Sequence, residues 1–218
     1  ILMNNEEFQS SYEPIKKKKI SPFFRLVAAL VAIGLFLISI QGYFYLMHPA
    51  PDVRLNLSDI QTYLPGSLDK PFTSHSAKDV KKVASEVSST IKQVANKVAA
   101  DSCRTSDIVC QSKALYIFVR DEIRYVPDSK YHDNLENPLI TLKTGGADCE
   151  DMAVLLSVMQ KAIGNDARLV FIPGHVYAQV KIPKYKDKWL NMEATCKTCN
   201  FNQVPTDMLL KKKEFVDI

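Results

Sequence analysis

Three residues in the second half of the chain have the side chains that nucleophilic acyl transfer requires: Cys149, His175 and Glu193. In such chemistry a cysteine attacks an amide carbonyl, a histidine protonates the leaving amine, and a carboxylate orients the histidine ring. Cys149 follows Asp148, a good helix N-cap, and precedes an apolar helical pattern that Gly164 ends. The start of a helix presents unpaired N–H groups and partial positive charge, which favour a thiolate. The backbone N–H of Cys149 is also a natural oxyanion donor.

Alternating apolar and polar residues after this helix predict two strands of a hairpin, over residues 175–182 and 188–194. If the turn centres on Lys184, His175 lies directly opposite Glu193. Directly opposed residues have Cβ atoms about 4.5–5.5 Å apart, which lets an imidazole and a carboxylate form a hydrogen bond. A slip of one residue would turn the apolar face outward, so burial resists it. We therefore expect Glu193 to fix the tautomer and the orientation of the His175 ring.

Two helices are expected to precede the nucleophile. One covers residues 77–100 with Ser76 as its N-cap, and the other covers residues 106–124. The first has a single apolar stripe at spacings of three and four residues, formed by Val80, Val83, Val87, Ile91, Val94 and Val98. Such a stripe would suit a coiled-coil stalk, but its short length favours packing against the domain. A buried strand is expected over residues 168–172.

Three ordered segments of the chain resemble the transglutaminase-like superfamily. They are TGGADCED at 144–151, GHVY at 174–177 and WLNMEAT at 189–195. The similarity covers roughly residues 105–200 and is greatest to the prokaryotic transglutaminase-like cysteine peptidases. It implies a papain-like α+β fold in which the nucleophile helix packs on an antiparallel sheet. It also implies that Cys149 is the nucleophile, His175 the base and Glu193 the third member of a triad, at a position where the family often has aspartate.

The other four cysteines are Cys103, Cys110, Cys196 and Cys199. Outside the cytoplasm cysteines usually form disulfides, and four cysteines allow three pairings. We predict the adjacent pairs, 103 with 110 and 196 with 199. A structural zinc site made of all four thiolates is the alternative, because C-x2-C is a common spacing of zinc ligands. Four free thiols are a third possibility. No other cofactor is expected.

Apolar residues are concentrated near the N-terminus. Residues 26–47 include no charged side chain, and a helix of about 20 apolar residues crosses a bilayer. Four lysines at 16–19 and Arg25 precede this run, so the positive-inside rule predicts a cytoplasmic tail over 1–25 and an extracytoplasmic remainder. A cleaved signal peptide is the alternative. Its apolar region would be only about 7–15 residues long, which favours an uncleaved signal anchor.

The overall composition is that of an ordinary globular domain attached to a membrane helix. Among 218 residues, 46% hydrophobic content excludes a wholly disordered chain, and 28 basic against 24 acidic residues do not indicate nucleic-acid binding. Residues 48–75 include several prolines and are expected to be a linker. Residues 76–218 are expected to form the transglutaminase-like domain.

The sequence thus predicts a membrane-anchored, extracytoplasmic thiol enzyme. Its polypeptide substrate would be cleaved at a peptide or isopeptide amide through a thioester on Cys149. Two alternatives stay open. The same triad could transfer the acyl group to an amine, as a protein-glutamine transamidase does. The domain could also be a non-catalytic module that binds peptides or organises the cell envelope, although such a module has no physical need for all three residues.

Overall fold

A computed structural model describes residues 21–47, 50–66, 77–85, 87–104, 106–128, 135–186 and 188–218. The chain divides into two units, residues 1–48 and residues 49–218, and each is described by itself. Three predictions lie wholly or partly outside the described residues. They concern the Ser76 N-cap, most of the N-terminal tail and residues 67–76 of the linker.

The first unit contains one long helix, α1, over Pro22–Met47. Its stretch Pro22–Tyr43 is long and apolar enough to cross a membrane, with a mean hydropathy of 2.5. Large apolar side chains such as Phe23, Leu30 and Phe36 are more than half exposed. These exposed apolar side chains are consistent in composition with a helix that could cross a bilayer.

The second unit combines helices with a small antiparallel sheet. Its helices are α2 (Leu57–Ile60), α3 (Ala77–Ser85), α4 (Ser89–Ser102), α5 (Ile108–Glu122), α6 (Pro138–Thr144), α7 (Cys149–Ala162) and α8 (Thr206–Leu209). Its main sheet contains β3 (Asp166–Ile172), β4 (His175–Lys181), β5 (Trp189–Met192) and β6 (Glu214–Asp217), in the order β5-β4-β3-β6. Two short strands, β1 (Arg124–Tyr125) and β2 (Gly146–Ala147), pair in parallel.

Helix α7 is the centre of the core. It contacts β3 and β4 on the sheet and also α4 and α5. Met152, Leu155 and Leu156 on this helix are fully buried, as an apolar helix face between two layers requires. The other face of the sheet is covered at one end by Val204 and Met208. The predicted α+β fold, with the nucleophile helix on an antiparallel sheet, is confirmed.

The prediction of one helix over residues 77–100 is wrong. The described residues form two helices, α3 and α4, and the second begins after Ser88. The Ser88 side chain accepts a hydrogen bond from the Ile91 N–H at 3.1 Å, which is a standard N-cap. Ser88 does not interrupt the apolar spacing, so periodicity alone misses the break. Val80, Val94 and Val98 are buried in the domain core, which fits the predicted packing rather than a stalk.

Part of the expected linker packs against the domain. Asn56 and Asp59 form a capping box at the start of α2, and Ile60 is fully buried. The Leu57 N–H donates to the Glu122 carboxylate at 2.9 Å. A helix of four residues is too short to produce a periodic pattern, so the sequence gives no sign of α2 among the prolines of the expected linker.

The disulfide pairing predicted from the sequence is confirmed. Cys103 is joined to Cys110 between α4 and α5, and Cys196 is joined to Cys199 after β5. Sulfur atoms in disulfides do not supply the thiolates that a zinc site of these four residues would need. Cys149 is the free cysteine.

The turn that leads into the nucleophile helix generates a stability prediction. Gly145 ends α6 with φ of 68°, and a Cβ there would lie 2.5 Å from Leu57 Cδ2. We expect Gly145→Ala to lower the free energy of unfolding by about 2–3 kcal/mol, through backbone strain and this clash. Urea unfolding of the full chain in detergent measures the change.

Gly164→Ala is the matched control. Gly164 has φ of 92°, but no atom lies within 4 Å of an added Cβ. Gly164→Ala should therefore lower the free energy of unfolding only through backbone strain, by about 1 kcal/mol. An equal decrease in the free energy of unfolding in the two variants would show that the Leu57 side chain moves away from the new Cβ without cost.

Candidate active site

The predicted position of Cys149 is confirmed. It is the first residue of α7, and the Asp148 side chain caps the helix by accepting from the Asp151 N–H at 3.0 Å. The preceding backbone is held by β1, since the Val126 N–H donates to the Ala147 carbonyl at 2.8 Å. The half-buried thiol therefore stands at a rigid helix start, where the helix dipole favours negative charge.

The predicted register of the hairpin is wrong by two residues, although the predicted faces are right. Val180 pairs with Leu190 and Gln179 with Asn191, so His175 is not directly opposite Glu193. The connection between the strands is longer than expected, because it contains a helical turn that ends with Lys186 at φ of 51°. A shift of two residues preserves which side chains share a face. Alternation therefore could not reveal it.

The structure nevertheless brings His175 and Glu193 together. The His175 Nε2 lies 2.6 Å from the Glu193 Oε2, and the Glu193 side chain is fully buried. Residues related by a diagonal across two strands have Cα atoms about 7–8 Å apart, within reach of long side chains only. The extra methylene of glutamate, compared with aspartate, supplies reach for this diagonal contact.

Cys149 lies beside the same imidazole, close enough for its side chain to raise the pKa of His175. The other side of the ring, at Nε2, faces Glu193. The three residues singled out by sequence thus form one continuous chain of side-chain contacts. Such a chain is the arrangement that activates a thiol nucleophile in acyl transfer.

The charge state of His175 follows from this contact chain. Burial disfavours the imidazolium, but hydrogen bonds and charge interactions with Cys149 and Glu193 outweigh burial and raise the pKa of His175 to about 9. The ring is therefore protonated at neutral pH. A protonated imidazole next to a thiol stabilises the thiolate and holds a proton ready for a leaving amine.

Tyr125 borders this site, and sequence reasoning gave it no role. It pairs with Ala147 through β1 and β2, and its side chain is 45% exposed. Partial burial and the neighbouring Cys149, Asp148 and Glu193 charges raise the pKa of the Tyr125 phenol. Its nearness to Cys149 depends on the pairing of two strands about twenty residues apart in the chain, which no local pattern in the sequence reveals.

A small acidic cavity of about 250 Å³ lies beside the start of α7. Its lining includes Asp128, Glu136, Asp148 and Asp151. The Asp151 carboxylate accepts from the Glu136 N–H at 2.7 Å, and burial together with nearby acids raises the pKa of Asp151 to about 8. Among the described residues, no group of three or more His, Cys, Asp or Glu side chains is arranged to hold a metal ion.

Comparison with known proteins shows a similarity of this core to a known superfamily. The family model of the transglutaminase-like superfamily matches residues 92–194. A candidate protease from Parabacteroides distasonis is similar in structure, with 12% identity over 61% of this chain and a TM-score of 0.43. This chain spans about a third of that protein, 32%.

Two structures of Legionella pneumophila LapG, one of them EGTA-treated, are also similar. Each shows 16% identity over 61% of this chain and a TM-score of 0.39, with 78% and 76% of LapG covered. No curated protein matches the sequence.

The raised pKa of His175 predicts how Cys149 reacts with an alkylating agent. At pH 6 a thiol with an ordinary pKa is well under about 1% thiolate, whereas a thiol paired with an imidazolium reacts readily. We expect iodoacetamide to modify Cys149 at pH 6, and His175→Ala to slow this reaction by about 10- to 100-fold. The measurement is the rate of mass increase of the full chain in detergent.

Two controls accompany this experiment. Cys149→Ser should show no modification, which assigns the reacting thiol. His75→Ala, at a histidine with no predicted role, should react like the wild type. Identical rates at pH 6 for wild type and His175→Ala would contradict the proposed pairing of the thiol with the imidazole.

Proposed function

Because the chain carries a transglutaminase-like core over residues 92–194, we propose that it is a membrane-anchored cysteine peptidase. It would hydrolyse peptide or isopeptide amides of polypeptide substrates. The single observation that carries this proposal is the grouping of Cys149 beside the His175 ring, with His175 in turn held by the buried Glu193. A nucleophile, a proton carrier and an orienting carboxylate are the parts that amide cleavage through a thioester needs.

In the first half of the reaction, the Cys149 thiolate attacks the carbonyl carbon of the amide. The oxygen that becomes negative is stabilised by the backbone N–H of Cys149 at the start of α7. The imidazolium of His175 gives its proton to the amide nitrogen as the carbon–nitrogen bond breaks. The amine leaves, and the acyl group remains on Cys149 as a thioester.

In the second half, neutral His175 takes a proton from water as the water oxygen attacks the thioester. The carbon–sulfur bond breaks, the carboxylic acid leaves, and the thiolate–imidazolium pair is restored. Glu193 keeps the ring in one orientation throughout and stabilises its positive charge. If a primary amine replaced water in this step, the product would be a new amide, and the protein would be a transamidase.

Membrane attachment is the second part of the proposal. Helix α1 has the length and composition of a membrane span, and the two disulfides suit an oxidising compartment. Lysines at 16–19 and Arg25 favour a cytoplasmic N-terminus. Alkaline extraction should leave the full chain in the membrane pellet, whereas a chain without residues 22–47 should be released.

Product analysis separates hydrolysis from transamidation. We expect the full chain in detergent to cut dimethylcasein into fragments with new termini, and added monodansylcadaverine to change neither their number nor their masses. Dansyl incorporation into uncut casein would identify a transamidase instead. Mass spectrometry distinguishes these products.

Cys149→Ala is the control for both reactions, because it removes the nucleophile and leaves the fold intact. Fragments that persist with Cys149→Ala would come from another protease. A wild-type chain whose Cys149 is readily alkylated at pH 6, but which neither cuts nor modifies casein or a diverse peptide library, would favour the non-catalytic module.

A further inference from the structure

We propose that Thr195 is a positioning residue that keeps the Glu193 carboxylate aimed at His175. The inference deepens the proposed function and rests on it, because it assumes that Glu193 orients the catalytic imidazole. Thr195 lies two residues after Glu193 in the loop that follows β5.

The two oxygens of the Glu193 carboxylate have different partners. Oε2 lies 2.6 Å from the His175 Nε2. Oε1 accepts from the Thr195 hydroxyl at 2.6 Å and from the Thr195 N–H at 3.0 Å. With Oε1 held by two donors from one residue, the plane of the carboxylate is fixed and Oε2 points at the imidazole.

Burial makes these donors necessary. Glu193 has no exposed surface, so bulk water does not solvate its negative charge. A buried carboxylate either receives hydrogen bonds or takes up a proton. Among the described residues, Thr195 supplies two donors to the Glu193 carboxylate, and His175 supplies a third.

The loop that carries Thr195 is itself anchored from α5. Tyr116 Oη donates to the Cys199 carbonyl at 2.9 Å, and the Arg120 guanidinium donates to the same oxygen at 2.9 Å. The Cys196–Cys199 disulfide ties this anchored residue to Cys196, which directly follows Thr195 in the chain. Because the backbone is held, the Thr195 hydroxyl has little freedom to point elsewhere.

Loss of the Thr195 hydroxyl is expected to lower the pKa of His175. Without the hydroxyl, Oε1 retains only the Thr195 N–H as a donor, and the carboxylate is free to rotate away from the imidazole. This rotation weakens one of the interactions that raise the pKa of His175. The imidazolium would then lose its proton at lower pH, and the thiolate of Cys149 would lose its counter-charge.

The test is the pH profile of Cys149 alkylation by iodoacetamide, measured on the full chain in detergent. For wild type we expect reaction at pH 6 and a second rise near pH 9, where His175 loses its proton. For Thr195→Val we expect the alkylation rate at pH 6 to fall about tenfold, because the loss of one hydrogen bond to a charged group changes an equilibrium by about that factor. We also expect the second rise to move to lower pH, because the pKa of His175 falls.

Two further variants separate the hydroxyl from packing and folding. Thr195→Ser keeps the donor and should restore the profile to within about twofold of wild type. Thr198→Val makes the same chemical change on the same loop, at an exposed residue whose hydroxyl contacts Cys196 rather than Glu193, and should match wild type. Circular dichroism checks that each variant is folded.

Each outcome is decisive. A wild-type profile in Thr195→Val, or an equally slow Thr195→Ser, would overturn the positioning role while leaving the proposed function standing. A wild-type chain that does not react at pH 6 would overturn the proposed function itself. Reduced reactivity in Thr195→Val with rescue by Thr195→Ser supports the inference.

Discussion

The contact between the buried Glu193 carboxylate and the His175 ring is the interaction on which the candidate site depends. A negative charge without solvent is costly, and it persists only where donors and an opposite charge compensate it. Here the donors come from Thr195 and the opposite charge from the imidazolium. Burial opposes the imidazolium, but Cys149 and this Glu193 contact together raise the pKa of His175 to about 9, which keeps a proton available beside Cys149 at neutral pH.

The packing of the domain determines where the partners of this contact lie. Helix α7 is buried between the sheet and the other helices, so its first residue, Cys149, cannot shift without disturbing the core. His175 begins β4, and Glu193 follows the last residue of β5. The site therefore lies where one end of the sheet meets the start of α7, and rigid elements rather than long loops carry the nucleophile and the base.

Much of the site could be predicted from the sequence because its signals are local. The Asp148 N-cap, the apolar face after it and the Gly164 stop place Cys149 at a helix start without any knowledge of distant residues. Strand alternation likewise identified the shared face of His175 and Glu193. The pairing of the four disulfide cysteines could be predicted because each cysteine bonds to its neighbour in the sequence, at separations of 7 and 3 residues.

The remaining features depend on contacts or backbone angles that residue patterns do not encode. The register of the hairpin depends on the helical turn before Lys186, and a shift of two residues leaves the alternation unchanged. The break at Ser88 preserves the apolar spacing of a continuous helix. The burial of Asp151 is determined by the packing of a separate segment around Glu136.

The most direct test of the central claim is an NMR titration of the His175 ring in the full chain, using isotope-labelled histidine and assignment by His175→Ala. We predict a pKa of about 9 for His175 in wild type and a clear decrease in Glu193→Gln, which removes the negative charge but keeps the shape of the side chain. An ordinary histidine pKa near about 6.5 in wild type, unchanged by Glu193→Gln, would contradict it.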